Sequence, residues 1–240
     1  MLGMQERTME MEKTETRSRT KRIVQSIVTS LFCLAALFIP AGTLKWTEAW
    51  VFIILYAAAV TAVVIWMKKK SPGLLKERST RKKDAKSWDK IFMAFYSGFL
   101  LFLLILPGLD AVRFRWSNIS PIIKILAFIG YIPGFAIVFW AMKENAFLSD
   151  VVRIQKDRGQ TVCTTGPYKY VRHPMYVGII WIMACLPLSL GSLFALIPAA
   201  IIMILFFIRT ALEDKTLRKE LTGYEEYTQN VRYRLVPGIW

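Results

Sequence analysis

The chain has 240 residues, 55% of them hydrophobic, and a formal net charge of +15 from 32 Lys and Arg against 17 Asp and Glu. This length allows one sizeable domain, and the hydrophobic share is high for a soluble one. The three cysteines are scattered and form no CxxC pair, which argues against a disulfide framework or a zinc site. Neither the GxGxxG nor the GxxxxGK[ST] phosphate loop occurs, which excludes a soluble doubly wound nucleotide-binding domain.

In chain order, four apolar runs could each cross about 30 Å of hydrocarbon: residues 23–39, 46–67, 91–109 and 121–142. A fifth run, 176–208, is too long for one span and is interrupted at Pro187 and at Leu190-Gly191-Ser192, so it predicts a tight helical hairpin. We therefore expect an all-α, polytopic integral membrane protein with about six transmembrane helices, or five, followed by a short cytoplasmic helical tail. Residues 1–20 are polar and aperiodic and predict a disordered tail.

The placement of the basic residues favours lipid over nucleic acid as the partner. With six spans, the loops on one side hold only Lys45, Arg113 and Arg115, with Lys124 near a span end, and every other Lys and Arg lies on the opposite side. The positive-inside rule then predicts that both termini are cytoplasmic. The basic side is expected to favour anionic membrane lipids. The basic run over residues 68–90 is interpreted as a solvated loop that sets this topology.

Polar residues concentrate first in residues 151–178. Pro174 disfavours helix at His173 and suits the first turn of the helix that follows, so Arg172 and His173 are predicted at a helix N-terminus. Unpaired backbone N–H groups and an arginine fork there would suit a carboxylate, such as the methionyl carboxylate of a cofactor. The only histidine of the chain could also be a capping or interfacial group. An aromatic belt at the headgroup level is the alternative for the nearby tyrosines: Tyr168, Tyr170 and Tyr176.

A second polar cluster continues the last apolar helix. Residues 209, 213, 217 and 221 recur every four positions, so Arg209 and Glu213 lie on the stripe that carries two leucines. A simple ion pair is one reason for this, although the order Arg before Glu is worth only about a few tenths of a kcal/mol. A ligand is the other: Glu213 could accept hydrogen bonds from ribose hydroxyls or a cofactor ammonium, and Arg209 could hold an anionic acceptor. The stripe alone leaves both open.

Three motifs occur together in the C-terminal part of the chain: Thr-Thr-Gly-Pro-Tyr-x-Tyr-Val-Arg-His-Pro-x-Tyr-x-Gly at 164–178, Arg-x-x-x-Glu-Asp at 209–214, and Gly-Tyr-Glu-Glu-Tyr at 223–227 with Val-Pro at 236–237. An RHPxY followed by an acidic pair at the end of a hairpin is a specific combination. From about residue 145 onward, the sequence resembles the isoprenylcysteine carboxyl methyltransferase family and the related membrane phospholipid methyltransferases. The resemblance implies an S-adenosylmethionine-dependent membrane methyltransferase, with a cofactor tunnel open to the cytosol and a lipid acceptor that enters laterally between helices.

The resemblance also implies site residues. The cofactor contacts carried over by position are Arg153, Gln160, Thr161, Val162, Cys163, Tyr168, Arg172, His173, Pro174, Tyr176 and Glu213. Arg209 is expected to lie nearest the reacting acceptor, and Arg209, Glu213 and His173 are the expected catalytic residues. Arg153 and Gln160 depart from the family pattern, which has Gln and His there, and Asp214 replaces the second Glu of the usual pair. No metal is implied, since no cluster has ligand spacing.

The expected acceptor is a lipid-like or prenylated molecule, and the choices between carboxylate and amine and between prenyl and acyl stay open, as does the oligomeric state. With an amine acceptor, Glu213 or His173 would take up a proton. An NADPH-dependent sterol-type reductase is a rival, but residues 161–178 show no added basic cluster for a second phosphate. A non-enzymatic membrane protein is the other rival. The predicted organisation is the tail over 1–20, a four-helix transmembrane part over 21–142 and a catalytic region over 143–240.

Overall fold

The computed structural model describes residues 28–79 and 85–240, and within these ranges it contains helices and no strands. The all-α prediction is confirmed for this part of the chain. The predicted disordered tail over 1–20 lies outside the described residues. In chain order the helices are α1 (Val28–Ala41), α2 (Thr47–Lys70), α3 (Pro72–Ser79), α4 (Ser87–Pro107), α5 (Pro121–Glu144), α6 (Pro174–Ser189), α7 (Leu196–Glu220) and α8 (Tyr224–Asn230). A π-helical turn, Gly108–Arg113, continues α4.

Four helices in the described part of the chain are long and apolar enough to cross a membrane: Thr47–Lys70, Ser87–Arg113, Pro121–Glu144 and Leu196–Glu220. They indicate an integral membrane protein. The apolar helices α1 and α6 are shorter as described. The 16 residues of α6 rise about 24 Å, less than the hydrocarbon core, at about 1.5 Å per residue. Among the described residues the structure thus supports four full-length spans. Residues 23–27 of the first predicted span lie outside them, and the total of about six spans, or five, stays a prediction.

The predicted C-terminal hairpin corresponds to α6 and α7, which pack against each other. Its interruption differs in one respect from the prediction. Pro187 lies inside the last turn of α6 and does not end it, whereas the break occurs at residues 190–195, where Gly191 adopts a φ of +84°. A proline lacks one backbone donor, but α6 continues past Pro187 to Ser189 before the turn begins.

Helices α5 and α6 approach each other closely through glycines. A Cβ on Gly178 would lie 2.6 Å from the carbonyl oxygen of Gly134, and one on Gly130 would lie 2.8 Å from the sulfur of Cys185. Gly130 meets Cys185 and Gly134 meets Gly178, so residue numbers increase along α5 while those of the contacting residues in α6 decrease, and the two helices run antiparallel. Small residues at such contacts let helix backbones approach in a membrane, where packing replaces the hydrophobic effect as the driving force.

Helix α7 connects the apolar core to a polar region. Apart from two adjacent pairs, its buried positions lie three or four residues apart and form one continuous face: Pro198, Ala199, Ile202, Phe206, Arg209, Thr210 and Asp214. Phe206 packs edge-on against Phe92 and Tyr96 of α4, with ring centroids 5.3 and 5.6 Å apart. The same face of α7 therefore leads from aliphatic packing to the charged residues at its C-terminal end.

The opposite end of α7 is held by Asp110 of the π-helical turn, whose side chain is fully buried. Its Oδ2 accepts hydrogen bonds from the hydroxyls of Ser117 at 2.7 Å and Ser192 at 2.6 Å, and from the backbone N–H of Phe194 at 3.2 Å. This cluster ties the segment after α4 to the turn between α6 and α7.

Candidate active site

A cavity lies where the segment after α5, the start of α6 and the end of α7 meet, with α8 forming one wall. It encloses about 760 Å³ when the solvent space at its open mouth is included. All the cofactor contacts expected from the resemblance line this cavity except Pro174: Arg153, Gln160, Thr161, Val162, Cys163, Tyr168, Arg172, His173, Tyr176 and Glu213. The structure thus brings together residues as far apart in the chain as Arg153 and Glu213.

Sequence reasoning missed several residues that line the cavity: Asn145, Phe147, Leu148, Met175, Leu217, Leu221, Tyr224 and Tyr227. Two of them had a usable signal, because Leu217 and Leu221 continue the helical stripe of Arg209 and Glu213. For the asparagine and the apolar residues around 147, nothing in the local pattern distinguishes a cavity wall from an ordinary loop.

Arg172 is buried and uses its guanidinium within the chain. Its Nε lies 2.7 Å from Oδ1 of Asp214 and its Nη2 3.1 Å from Oδ2, while Nη1 donates to the carbonyls of Val231 and Arg232 at 2.7 and 2.8 Å. A bidentate arginine–carboxylate pair is a strong and well-oriented interaction. The carboxylate that engages the arginine fork in this structure is therefore Asp214.

The helix N-terminus at Pro174 also differs from expectation. The backbone N–H of Arg172 donates to the carbonyl of Tyr233 at 2.9 Å, and that of His173 to the carbonyl of Arg234 at 3.0 Å. The prediction of unpaired N–H groups at these two residues is wrong, because the C-terminal segment of the chain satisfies them. Such pairing is what buried backbone donors require.

His173 is buried and stacks on the ring of Tyr176, with the ring planes 5° apart and the centroids separated by 5.7 Å. Its Nε2 lies 3.5 Å from both Oδ1 of Asp214 and the hydroxyl of Tyr224. The Tyr224 hydroxyl also donates to Oδ1 of Asp214 at 3.1 Å. Asp214 is thus the centre of a polar network that fixes both residues of the Arg-His pair.

Glu213, the neighbour of Asp214, has a different environment. Its side chain faces the cavity and accepts a hydrogen bond from the hydroxyl of Tyr176. In the described part of the chain, no Lys, Arg or His side chain lies within ion-pair distance of Glu213. Of these two adjacent residues, Asp214 has several cationic side chains within ion-pair distance, and Glu213 has none among the described residues, although it interacts with Arg209 at longer range.

Arg153 lines the cavity and pairs with carboxylates. Its Nε and Nη2 lie 3.0 Å from the two carboxylate oxygens of Glu77 in α3, and its Nη1 lies 3.0 Å from Oδ1 of Asp157. Gln160, the other departure from the family pattern, accepts a hydrogen bond from the backbone N–H of Gln155 at 2.7 Å. Both residues help to shape the cavity wall and stay predictions as cofactor contacts.

The remaining walls carry neutral groups. Burial raises the pKa of the Cys163 thiol, which disfavours a thiolate there. Burial also raises the pKa values of the phenols of Tyr168, Tyr224 and Tyr227, so these hydroxyls stay protonated at neutral pH. Tyr227 donates to the carbonyl of Tyr168 at 2.7 Å, and Asn145 donates to the Tyr168 hydroxyl at 3.3 Å.

Arg209 does not line the cavity; it lies beside it, between α4, α6 and α7. Its guanidinium packs over the rings of Phe92, at 4.5 Å, and Tyr176, at 5.4 Å, and its Nε lies 3.0 Å from Oδ1 of Asp89. Tyr176 thus contacts both Arg209 and Glu213, and joins the cavity to the interior of the helix bundle.

The fold thus places a partly polar cavity at the C-terminal ends of two long apolar helices, α5 and α7. The model of the isoprenylcysteine carboxyl methyltransferase (ICMT) family matches residues 125–219, less than half of the chain. The match covers most of α5 and α7, all of α6 and the segment between α5 and α6. It confirms the family resemblance that the motifs indicated and points to a membrane methyltransferase. No curated protein matches the chain.

Proposed function

We propose that the chain is an S-adenosylmethionine-dependent methyltransferase that acts on a lipid-like or prenylated acceptor within the membrane. The cavity is the proposed cofactor site, residues 143–240 the proposed catalytic region, and the cytoplasm the proposed side for the site and both termini. The family match supports methyl transfer, and the distribution of charge in the cavity supports the cofactor.

The charge of Glu213 is the observation that carries the proposal. The arginines that line the cavity already have carboxylate partners, Arg153 with Glu77 and Arg172 with Asp214. Glu213 has the neutral hydroxyl of Tyr176 instead. Glu213 is half-buried, and a carboxylate partly shielded from water gains from a cationic partner. The cavity therefore favours a ligand with positive charge, and S-adenosylmethionine carries a sulfonium and an ammonium.

The same charge distribution disfavours the reductase alternative. NADPH would bring several phosphate charges to a cavity whose arginines are paired and whose free charge is negative. Phosphate sites in proteins offer unpaired Arg, Lys or backbone N–H groups. The backbone N–H groups of Arg172 and His173, at the start of α6, are already donated to carbonyls of the C-terminal segment.

When bound, S-adenosylmethionine would supply an electrophilic methyl group, which would pass to a lone pair of the acceptor with the electron pair of the broken sulfur–carbon bond left on sulfur. A carboxylate acceptor then needs no proton transfer, whereas an amine must lose a proton, for which Glu213 or His173 is the proposed base. In either case the residues of the chain act mainly by orienting the reactants and excluding water. Glu213 anchors positive charge, and the stacked rings of His173 and Tyr176 form a rigid wall.

Arg209 is proposed to contact the acceptor. It lies on the side of Tyr176 that faces the aromatic packing between α4 and α7, where Phe92 and Phe206 provide an apolar environment. An acceptor with a long hydrocarbon chain could approach from this side while the cofactor occupies the cavity. The same arrangement accommodates prenyl and acyl chains.

Equilibrium binding to detergent-purified protein tests the cofactor, with labelled S-adenosylmethionine and NADPH compared side by side. We expect binding of the former, weakened at least about tenfold by Glu213→Gln, because a lost contact between charges costs on the order of 1.4 kcal/mol or more. Glu220→Gln is the matched control: Glu220 lies on the same helix but pairs with Lys86, 2.8 Å away and outside the cavity. Binding of NADPH alone, or equal affinities of both variants, would overturn the proposal.

A further inference from the structure

Asp89, in the first turn of α4, is a fully buried carboxylate that no motif identifies. Its Oδ2 accepts a hydrogen bond from the backbone N–H of Val152 at 2.8 Å, and its Oδ1 lies 3.0 Å from Nε of Arg209. Charged groups in helices that span membranes are costly to bury, and they generally face the protein interior and mark functional sites. The position of this carboxylate therefore requires an explanation.

Asp89 fixes the orientation of Arg209. It occupies the edge of the guanidinium formed by Nε and Nη2, the latter 3.4 Å from Oδ2, while Nη2 also donates to the carbonyl of Asp150 at 2.8 Å. The flat face of the group is held against the rings of Phe92 and Tyr176. The Nε contact with Oδ1 is an ion pair without hydrogen-bond geometry. Within residues 28–79 and 85–240, Nη1 of Arg209, on the other side of the guanidinium from Asp89, has neither a hydrogen bond nor an ion pair, so it is the nitrogen left for another molecule.

Asp89 also contacts the wall of the cavity. Asp89 accepts a hydrogen bond from the backbone N–H of Val152, and both Val152 and the following residue, Arg153, line the cavity. A single carboxylate oxygen, Oδ2, therefore contacts both the segment that shapes the proposed cofactor site and the arginine proposed to hold the acceptor. Methyl transfer requires the acceptor atom in line with the bond that breaks, and errors of about 1 Å can be costly. The distance between the two proposed subsites depends on this carboxylate.

We propose that Asp89 is a positioning residue for methyl transfer, which holds Arg209 so that its free Nη1 binds the polar head of the acceptor at a fixed distance from the cofactor. This inference rests on the proposed function. Because Asp89 balances its charge, Arg209 acts as an oriented hydrogen-bond donor and not as a free counter-ion. The geometry therefore suits an acceptor whose head carries an oxygen lone pair beside the reacting atom.

The test compares wild type, Asp89→Asn, Arg209→Gln and the double variant in a labelled-methyl assay with two acceptor probes in mixed micelles, S-prenylated N-acetylcysteine and phosphatidylethanolamine. For the probe that the wild type methylates, Asp89→Asn is expected to raise KM at least about tenfold. Its Kd for S-adenosylmethionine should change less than about threefold. In the Arg209→Gln background, Asp89→Asn should change KM little further, since the effects of substitutions at two interacting residues do not add.

Asp110→Asn is the matched control, because Asp110 is equally buried at the far end of the bundle and has no contact with Arg209. If Asp89→Asn does not fold, Asp89→Glu keeps the charge while displacing it by one methylene, and the same rise in acceptor KM at constant cofactor Kd is expected. Equal KM values for the Asp89 and Asp110 variants, or additive effects of Asp89→Asn and Arg209→Gln, would overturn the inference and leave the proposed function intact. Failure of the wild type to methylate either probe would overturn both.

Discussion

The two ends of α7 both bury carboxylates, but with different partners. At one end, Asp110 accepts hydrogen bonds from two serine hydroxyls and a backbone N–H, all of them neutral. At the other end, Asp214 has Arg172, Arg218 and Arg234 within ion-pair distance, while its neighbour Glu213 has no such partner among the residues that the structure describes. The first arrangement holds the hairpin turn. The second places unequal charges beside a cavity, which is typical of a site that receives a charged ligand.

Loss of the Arg172–Asp214 pair should have the largest effect on stability. Arg172→Ala would leave the buried Asp214 and the carbonyls of Val231 and Arg232 without their main donor. Removal of one partner from a buried pair typically costs about 3–5 kcal/mol. We expect a large loss of thermal stability in detergent and loss of S-adenosylmethionine binding.

Arg218→Ala serves as the control for that prediction. Arg218 contacts the same carboxylate at 3.3 Å, but its side chain is 38% exposed. An exposed pair of this kind is worth about 0–1 kcal/mol. If Arg172→Ala and Arg218→Ala lowered the melting temperature equally, Asp214 would not be a buried network centre, and the contrast with Asp110 would fail.

The close contact between α5 and α6 predicts a smaller but still clear effect. Gly178→Ala would place a Cβ 2.6 Å from the carbonyl oxygen of Gly134 and 2.7 Å from a methyl of Val138, so the two helices must move apart. Overpacking of this kind costs about 1–3 kcal/mol. Because α6 begins at the Arg-His pair, the cavity should also be disturbed, which a weaker S-adenosylmethionine affinity would reveal.

Gly98→Ala in α4 is the matched substitution, since among the described residues only its own helix backbone and chain neighbours lie within 4 Å of the Cβ it would introduce. Alanine is favoured over glycine in a helix by about 0.8–1.0 kcal/mol, so this variant should be neutral or slightly more stable. The decisive result is the sign of the change in melting temperature, which should fall for Gly178→Ala and stay constant or rise slightly for Gly98→Ala. The same sign for both would mean that helix propensity, and not the contact with α5, governs Gly178.

The sequence predicted the helices and the motif residues better than it predicted the partners of those residues. Hydrophobic run length located the long apolar helices, and the motifs with the family resemblance located ten of the 22 residues that line the cavity, because these signals are local in sequence. The partners of those motif residues were not predictable in this way. Asp89 and Glu77 approach Arg209 and Arg153 only because α4 and α3 pack against the C-terminal part of the chain. The carbonyls that satisfy Arg172 and His173 come from a segment about sixty positions further along, which no local pattern indicates.

Asp110→Asn tests the end of α7 that has no proposed role in chemistry. The substitution keeps the shape of the side chain but weakens an acceptor shared by Ser117, Ser192 and Phe194. Weakening the hydrogen bonds of a buried polar group lowers the free energy of unfolding by about 1–3 kcal/mol. A moderate fall in melting temperature with unchanged S-adenosylmethionine affinity is expected. A marked fall in affinity would show that the two ends of α7 are coupled and that the hairpin turn contributes to the site.

Tyr176→Phe should have the smallest effect on stability and the most informative effect on binding. It removes the hydroxyl that donates to Glu213 but keeps the ring that stacks on His173 and packs against Phe206. A net hydrogen bond of this kind contributes about 0.5–1.5 kcal/mol, so unfolding should change little. If the hydroxyl only orients Glu213 for a cationic ligand, the affinity for S-adenosylmethionine falls by no more than about tenfold. Measured beside Glu213→Gln, the phenylalanine variant separates the contribution of the charge from that of its orientation. A larger loss for Tyr176→Phe than for Glu213→Gln would mean that the tyrosine itself contacts the ligand and that the negative charge of Glu213 is not what selects it.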